Sequence, residues 1–177
     1  ELFDQIVNDK KMDLTKKFNK YSRGQKMQIV LATELAKSPS ILLLDEITSI
    51  LDLNSRKYFL NKFSIFCQEG GTIILTTNII SEVQAYATDL IIIKNGHIPL
   101  NEKINNVNKH FKIIKIDDDQ PIIQSESCIW LRKVDIGMSI YIIPVELLSI
   151  YNLSKKEIVE IEPSLSEIFS YYLNSNS

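Results

Sequence analysis

Two groups of residues near the start of the chain have the types and spacing that nucleotide chemistry requires. Ser22-Arg23-Gly24-Gln25 opens a helix-period pattern, and Asp45-Glu46 ends an apolar run. The first amides of a helix are unpaired and the helix dipole is positive there, so such a turn attracts phosphate oxygens. A carboxylate binds hard cations such as Mg²⁺ and can also act as a general base. Together the two groups suggest nucleotide chemistry.

Hydrophobic spacing predicts the elements that position these residues. Ser22 suits an N-cap, because its hydroxyl can accept from free amides of the first helical turn. The helix that follows it ends at Ser38-Pro39. Residues 41–44 are apolar at every position, as is expected of a strand covered on both faces. A second helix is predicted over residues 54–68 and a second buried strand over residues 72–77.

A short helix at residues 81–87, a strand at 90–93 and a hairpin turn at Asn95-Gly96 with a return strand at 97–100 complete this region. Because strands and helices alternate, we expect the strands to pair in parallel with helices on the faces. The predicted fold class is therefore α/β, the second half of a nucleotide-type domain. We expect this partial domain to occupy residues 1–100.

A small C-terminal α+β domain is predicted for residues 101–177, where isoleucine-rich segments alternate with polar turns. We expect the aromatic residues Trp130, Tyr171 and Tyr172 to pack this domain. Its predicted strands are 111–116, 128–133, 139–143 and 157–161, and its predicted helices are 144–151 and 164–173.

Composition limits the class of protein. The chain has 177 residues, 45% of them hydrophobic, and a formal net charge of −2. These values are typical of a globular protein and give no electrostatic reason to expect a nucleic acid partner. No apolar run approaches the roughly 20 residues that span a bilayer, so a membrane role would require a partner. Neither the two cysteines, Cys67 and Cys128, nor the two lone histidines match a metal-ligand spacing.

Four motifs in the first hundred residues resemble those of ATP-binding cassette (ABC) ATPases. Tyr21-Ser22-Arg23-Gly24-Gln25 is similar to the signature motif, LSGGQ. Residues 41–46 resemble the Walker B strand and residues 49–52 resemble the D-loop. Thr76-Thr77-Asn78 stands where the family's switch histidine follows its strand. The order and the spacing agree throughout, so the four motifs together are far more specific than a single pentapeptide.

The resemblance implies a role for each of these residues. Ser22, Arg23, Gly24 and Gln25 would form the surface that binds the γ-phosphate of ATP held by the other subunit of a head-to-tail dimer. Asp45 would hold Mg²⁺ through water, and Glu46 would polarise the attacking water as general base. Asp52 would bridge the two subunits, and Asn78 would take the place of the switch histidine.

The residues taken alone leave simpler interpretations open. Ser22 could be an ordinary helix cap, and Asp45-Glu46 could be a solvated turn after an apolar strand. Asp52 could equally cap the helix that follows it.

Several positions depart from the family pattern. Arg23 replaces the first glycine of the signature pair, where it could strengthen anion binding or block close approach. Gln28 stands where arginine is usual, and Leu53 stands where proline often follows the D-loop. Asparagine at position 78 can form hydrogen bonds but cannot carry a proton or a positive charge. We therefore expect slow or absent hydrolysis even where nucleotide binds.

The phosphate-binding loop of the family, G-x-x-x-x-G-K-[ST], is absent from the sequence, because no glycine is followed by lysine at that spacing. The chain also starts at Glu1 rather than Met, as is expected of a piece of a longer product. We expect ATP and Mg²⁺ to bind only with the missing Walker A region or a partner subunit. The chain alone should therefore be inactive.

These observations favour the C-terminal part of an ABC transporter ATPase subunit. The resemblance implies a second ABC ATPase subunit and a transmembrane permease as partners, with a place on the cytoplasmic face of the cell membrane. The tail, residues 162–169, resembles the closing segment of bacterial drug, bacteriocin or gliding-type exporter ATPases. An alternative is a non-catalytic regulatory module with a decayed ATPase fold. A DNA-repair or chromosome-organising ATPase is disfavoured, because long heptads and net positive charge are absent.

Overall fold

The computed structural model describes residues 1–117, 119, 128–150, 158–159 and 161–174. By its internal contacts the chain divides into two compact units, Glu1–Tyr86 and Ala87–Ser177. The domain boundary between residues 100 and 101 stays a prediction.

The first unit contains the helices and strands predicted between residues 22 and 87, with ends shifted by one or two residues, and a further helix at its start. Its elements are α1 (Leu2–Asp9), α2 (Arg23–Ala36), β1 (Ile41–Asp45), α3 (Leu53–Gln68), β2 (Thr72–Thr76) and α4 (Ile80–Tyr86). Two 3₁₀ turns, Phe18–Lys20 and Ile47–Ile50, lie in the connections before α2 and α3. The second turn follows the carboxylates of β1 directly, and it shapes the loop that holds the candidate site.

The core of the first unit lies between the helices and one face of the sheet. Phe59 of α3, Leu31 of α2 and Ile6 of α1 are buried in one cluster with Leu42 and Leu44 of β1. Ridges from three helices thus pack on the same side of β1. This packing fixes the helix N-termini and the strand ends relative to each other.

The expectation that β1 and β2 are buried on both faces is wrong for the described residues. β1 and β2 pair in parallel, from Ile41 opposite Thr72 to Asp45 opposite Thr76. Leu43 is 70% exposed, while Ile41 and Ile74 are each 58% exposed. The helices of the unit cover one face of this two-stranded sheet, so every second apolar side chain faces outward, as the period of a strand requires.

The second unit contains a hairpin, a four-stranded antiparallel sheet and a C-terminal helix. Its elements are β3 (Asp89–Lys94), β4 (His97–Lys103), α5 (Ile104–Val107), β5 (Phe111–Asp117), β6 (Ile129–Asp135), β7 (Met138–Pro144), β8 (Ile158–Val159) and α6 (Leu165–Asn174). The sheet order is β6-β7-β5-β8, with antiparallel neighbours throughout. Asn95 and Gly96 both have positive φ, 50° and 78°, as the predicted two-residue turn requires.

The predicted hairpin is confirmed, because β3 pairs antiparallel with β4 across the turn at Asn95-Gly96. The parallel pairing that strand-helix alternation also favoured for β3 is not among the described pairings. The helix predicted at residues 144–151 is wrong in length. It is a 3₁₀ turn at Val145–Leu147, and residue 151 lies outside the described residues. Of the strand predicted at 157–161, residues 158–159 form β8, while residues 157 and 160 are outside the described residues.

The aromatic residues of the second unit divide into a packed group and an exposed one. Phe111 makes edge contacts with Tyr171 and Tyr172, at centroid distances of 5.0 and 5.7 Å. Trp130 is 57% exposed on β6, so the expectation that it packs this unit is wrong. Along β6 the side chain of Trp130 points to one face of the sheet, and those of Ile129 and Leu131 point to the other. Since both sets are apolar, the sequence does not determine which face is covered.

Phe59→Ala is expected to lower the free energy of unfolding of the first unit by about 3–5 kcal/mol, because it leaves a cavity where a fully buried ring was. Urea unfolding of the full chain, followed by circular dichroism, measures the loss. Ile65→Ala is the control, since Ile65 lies on the same helix and is exposed. Its effect should stay within about 0.5 kcal/mol, and equal losses from both variants would contradict the assigned core.

Candidate functional site

The parallel register of β1 and β2 brings together the loop of Asp45 and Glu46 and the loop of Thr76 to Asn78. Asp45 and Thr76 are opposite each other at the carboxyl ends of the strands. The Thr76 hydroxyl donates a short hydrogen bond to Asp45 Oδ1. The Glu46 amide donates to Thr76 Oγ1 and to the Thr76 carbonyl, both at 3.1 Å. The carboxyl edge of a parallel sheet is where α/β proteins commonly bind ligands, so this edge is a candidate site.

Glu46 has a backbone conformation that is uncommon for a residue with a side chain. Its φ and ψ are 48° and 22°, in the left-handed region. Ser49 stabilises this turn, because its amide and its hydroxyl donate to the Glu46 carbonyl at 3.3 and 2.7 Å. The Glu46 side chain is exposed. A carboxylate placed this way is open to a ligand or to water at the sheet edge.

Ser22 and Gln25 form a reciprocal capping box at the start of α2. The backbone amide of Gln25 donates to Ser22 Oγ at 3.2 Å, and the backbone amide of Ser22 donates to Gln25 Oε1 at 3.0 Å. The Ser22 hydroxyl acts as an acceptor here, so its own proton remains available to donate to an anion. The cap interpretation and the phosphate interpretation of Ser22 are therefore compatible.

Gly24 lies against the backbone of the loop after β1. A Cβ at this position would come within 3.3 Å of the Ile50 carbonyl oxygen. A side chain here would therefore require the loop or the helix to move, which explains why glycine is suitable. Arg23, by contrast, is exposed, and within the described part of the chain its side chain has no hydrogen bond or ion pair.

Asp52 caps α3 with both carboxylate oxygens. Oδ1 accepts from the amides of Asn54 and Ser55 at 3.1 and 3.0 Å, and Oδ2 accepts from the Ser55 hydroxyl at 2.7 Å. The hydroxyl and amide of Ser55 are the main causes that lower the pKa of Asp52 below its ordinary value. The simpler interpretation of Asp52 is therefore realised in this structure, while its bridging role stays a prediction.

Four of the candidate site residues line a cavity of about 680 Å³. Ser22, Gly24, Gln25 and Asp52 line it, together with Lys10, Lys11 and Lys16. Asp45, Glu46 and Asn78 are not among its lining residues. The turn at residues 22–25 therefore lines this cavity, and the carboxylates at the sheet edge do not.

Asn78 is exposed two residues beyond the end of β2. Its loop is adjacent to the carboxylates, because Thr76 contacts both Asp45 and Glu46. No hydrogen bond to the Asn78 side chain is present among the described residues. Its amide is therefore available to a ligand at the edge, although it cannot accept and pass on a proton.

One carboxylate of this edge fits the role of a Mg²⁺ ligand. Mg²⁺ is usually bound through one or two carboxylates, with water and substrate phosphates as its other ligands. Asp45 is exposed and held by the Thr76 hydroxyl. In the described ranges no cluster of three or more His, Cys, Asp or Glu side chains could hold a metal ion without such additional ligands.

Sequence patterns gave no indication of a buried polar cluster behind the loops. Glu82 of α4 is 4% exposed and contacts Thr48, Thr77 and Arg56. From sequence alone, a glutamate on a short helix is expected to be at the surface, because glutamate is seldom buried unless it is paired. The local signal is slight, because Glu82 lies three residues after Ile79, which precedes α4, and four before Tyr86, which is exposed.

The comparisons with known proteins agree with an ABC-type ATP-binding domain. No protein-family model matches the chain. A solved ATP-binding subunit of an ABC transporter has a TM-score of 0.57 at 17% identity, covering 61% of this chain and 46% of that one. An ATP-binding cassette dimer with bound ADP and phosphate has a TM-score of 0.50 at 23% identity, covering 56% and 44%. The fold is therefore that of ABC-type ATP-binding domains, and the predicted α/β class is confirmed.

Curated relatives point to the same class. The energy-coupling factor transporter ATP-binding protein EcfA2 of Streptococcus pneumoniae is 29% identical over 126 residues. That of Streptococcus pyogenes is 30% identical over 126 residues. Each match covers 71% of this chain and 44% of the relative. The predicted resemblance to ABC transporter ATPase subunits is confirmed, and the chain spans less than half the length of these relatives. The exporter-like tail stays a prediction.

None of the helices in the described residues is both long enough and apolar enough to cross a membrane.

Asp52→Ala is expected to lower the free energy of unfolding by about 1 kcal/mol at neutral pH, because it removes the α3 cap. The pKa of Asp52 is lower in the folded chain, so its stabilising effect is present above the unfolded value, about 3.9. That effect is lost as the pH falls through the folded value. Urea unfolding at pH 7, 4 and 2.5 should show the parent and variant converging. Asp52→Asn, which can still cap, should lose less at pH 7, and a pH-independent difference would contradict the assignment.

Proposed function

We propose that the chain is part of the ATP-binding and hydrolysing subunit of an ABC transporter. The observation that carries the proposal is the division between two spaces. Ser22, Gly24 and Gln25 line one cavity, while Asp45, Glu46 and the loop of Asn78 meet at the sheet edge. In a dimer whose nucleotide sites are shared between the chains, this division is required. Each chain then contacts its partner's nucleotide with the signature turn and its own nucleotide with the carboxylates.

At the sheet edge each residue has a distinct part in this proposal. Asp45 would hold Mg²⁺ through water, and bound Mg²⁺ neutralises charge on the phosphates during transfer. Glu46, exposed and beside the strand end, would orient and polarise the attacking water. Asn78 would contact the terminal phosphate by hydrogen bonding alone. The proton and charge that a histidine could supply there would be missing, so turnover would be slow.

The signature turn would act in trans. The proton of the Ser22 hydroxyl and the close backbone approach at Gly24 suit a phosphate held by another subunit. Lys10 and Lys11 on the same cavity add positive charge to that surface, while Lys16 is paired at 3.8 Å with Asp13, which also lines the cavity. Exposed Arg23 would strengthen anion binding in this arrangement, since it has no ion pair within the described part of the chain.

The remaining parts of the proposal concern partners and place. A second ABC ATPase subunit would complete each nucleotide site, and a transmembrane permease would carry the substrate. The subunit would lie on the cytoplasmic face of the cell membrane through that permease. We propose export as the direction, on the resemblance of residues 162–169 to exporter subunits. ATP and Mg²⁺ would bind where a Walker A region completes the site.

A second candidate function is a non-catalytic module that keeps the fold and the dimer surface. Asn78 in place of histidine favours it, because a neutral amide cannot support proton transfer. Nucleotide-dependent dimerisation of the full-length protein without phosphate release would support this candidate over the first.

Glu46→Gln in the full-length protein, assembled with its partners, is expected to lower ATP turnover by roughly 10²-fold or more, because the general base is lost. Phosphate release measures turnover, and equilibrium nucleotide binding should change little. Glu34→Gln is a matched control, since among the described residues Glu34 pairs only with Lys37, at the surface of α2. Equal turnover in the Glu46→Gln variant and the parent would exclude Glu46 as the base.

Asn78→His in the same assembly is expected to raise turnover by about tenfold or more, because imidazole restores a group that can carry charge and proton. Asn78→Gln keeps the amide chemistry and should leave turnover low. An unchanged rate in Asn78→His would mean that the asparagine does not limit hydrolysis.

A further inference from the structure

A buried carboxylate lies behind the two loops of the sheet edge. Glu82 Oε2 accepts two hydrogen bonds, from the Thr48 hydroxyl at 2.8 Å and from the Thr77 hydroxyl at 3.1 Å. Thr48 is in the loop after β1, two residues beyond Glu46, and Thr77 directly precedes Asn78. One oxygen atom of Glu82 therefore connects both loops from inside the unit.

An arginine on α3 holds the first loop from another side. Arg56 Nε donates to the Thr48 carbonyl at 3.0 Å, and Arg56 Nη2 donates to the Leu51 carbonyl at 3.4 Å. The same Nε lies 3.5 Å from Glu82 Oε1. That oxygen is buried without a hydrogen bond among the described residues, so the contact with Arg56 is an ion pair. Thr48, Arg56, Thr77 and Glu82 form what we call the Glu82 cluster.

Stability alone does not explain why polar side chains form the Glu82 cluster at this position. A buried ion pair is costly to desolvate, and apolar side chains of similar size often stabilise a fold as well or better. Its members, however, lie close to the site residues: Thr48 is two residues beyond Glu46, and Thr77 directly precedes Asn78. Arg56 contacts the carbonyl of Leu51, which directly precedes Asp52. A hydrogen-bonded cluster fixes orientation as well as distance, which apolar packing does less strictly.

We propose that Glu82 is a positioning residue, which holds the loop of Glu46 and Asp52 and the loop of Asn78 in one fixed arrangement. It does so through the two threonine hydroxyls and through Arg56, without touching a ligand. This assignment rests on the proposed function for its consequence in catalysis. Its structural part, the coupling of the two loops, can be tested separately.

Thr48 offers the sharpest test, because among the described residues its hydroxyl contacts only Glu82. Thr48→Val keeps the shape and removes the hydroxyl, whereas Thr48→Ser keeps the hydroxyl and removes a methyl group. Hydrogen exchange of the full chain, read by mass spectrometry, should accelerate roughly tenfold in residues 46–52 and 77–79 of Thr48→Val. Thr48→Ser should remain close to the parent.

Thr33→Val is the matched control, since Thr33 is exposed on α2 and, within the described part of the chain, its hydroxyl donates only to the Ile29 carbonyl. It should leave exchange in both loops unchanged. Glu82→Gln is a second variant, which keeps an acceptor for the hydroxyls but loses the charge opposite Arg56. Exchange should then rise mainly in residues 48–51, which Arg56 contacts. If Thr48→Val leaves both loops as in the parent, or if Thr48→Ser loosens them equally, the proposal is overturned.

Turnover by the assembled full-length protein provides the second readout. Thr48→Val should lower kcat with KM nearly unchanged, because the reacting groups are displaced while nucleotide binding is not, and Thr48→Ser should restore kcat. An unchanged kcat alongside loosened loops would overturn the positioning role. If the parent itself shows no turnover, the proposed function fails, while the exchange experiment still decides whether Glu82 couples the loops.

Discussion

The arrangement of the candidate site depends on the parallel pairing of β1 with β2. In this register Asp45 is opposite Thr76, so both strands end at the same edge. The loops that follow the two strands therefore begin side by side, and the backbone amide of Glu46 donates hydrogen bonds to Thr76. A shift of one residue would turn every side chain of β2 to the opposite face and separate Thr76 from Asp45. The burial of Leu42 and Leu44 against the helices fixes this register from one side.

The same pair of strands shows how far hydrophobic patterning can be interpreted. Four consecutive apolar residues in β1 indicate a strand that is covered on both faces in the folded domain of this class. The described helices cover one face, and Leu43 with Ile41 and Ile74 remains exposed. A continuous apolar run therefore predicts a strand, but it does not determine whether one face or both faces are covered.

Local signals in the sequence were sufficient for most elements and for the helix caps. Ser22 and Gln25 have the spacing of a capping box, and Asn95-Gly96 has the residue types of a two-residue turn. Both depend on neighbours within four residues, so one sequence contains all the information needed. The motif residues of the sheet edge could be named for the same reason, through their resemblance to a known pattern.

Long-range contacts could not be predicted in this way. Glu82 meets Thr48 across 34 positions of sequence, and neither residue type indicates the other. The antiparallel pairing of β3 with β4, by contrast, was predicted, because the turn at Asn95-Gly96 is a local signal that joins strands adjacent in sequence. Trp130 was misassigned because alternation along a strand does not say which face is covered.

The helix-capping role of Asp52 is compatible with the interface role that we propose for it. Its carboxylate accepts three hydrogen bonds, two on Oδ1 and one on Oδ2. An ionised carboxylate has about four acceptor positions, so one position on Oδ2 is still available to a donor from another chain. The bonds from Ser55 lower the pKa of Asp52 and so keep it charged. The cap fixes the carboxylate in place, so the proposed interface role would require no rearrangement of Asp52.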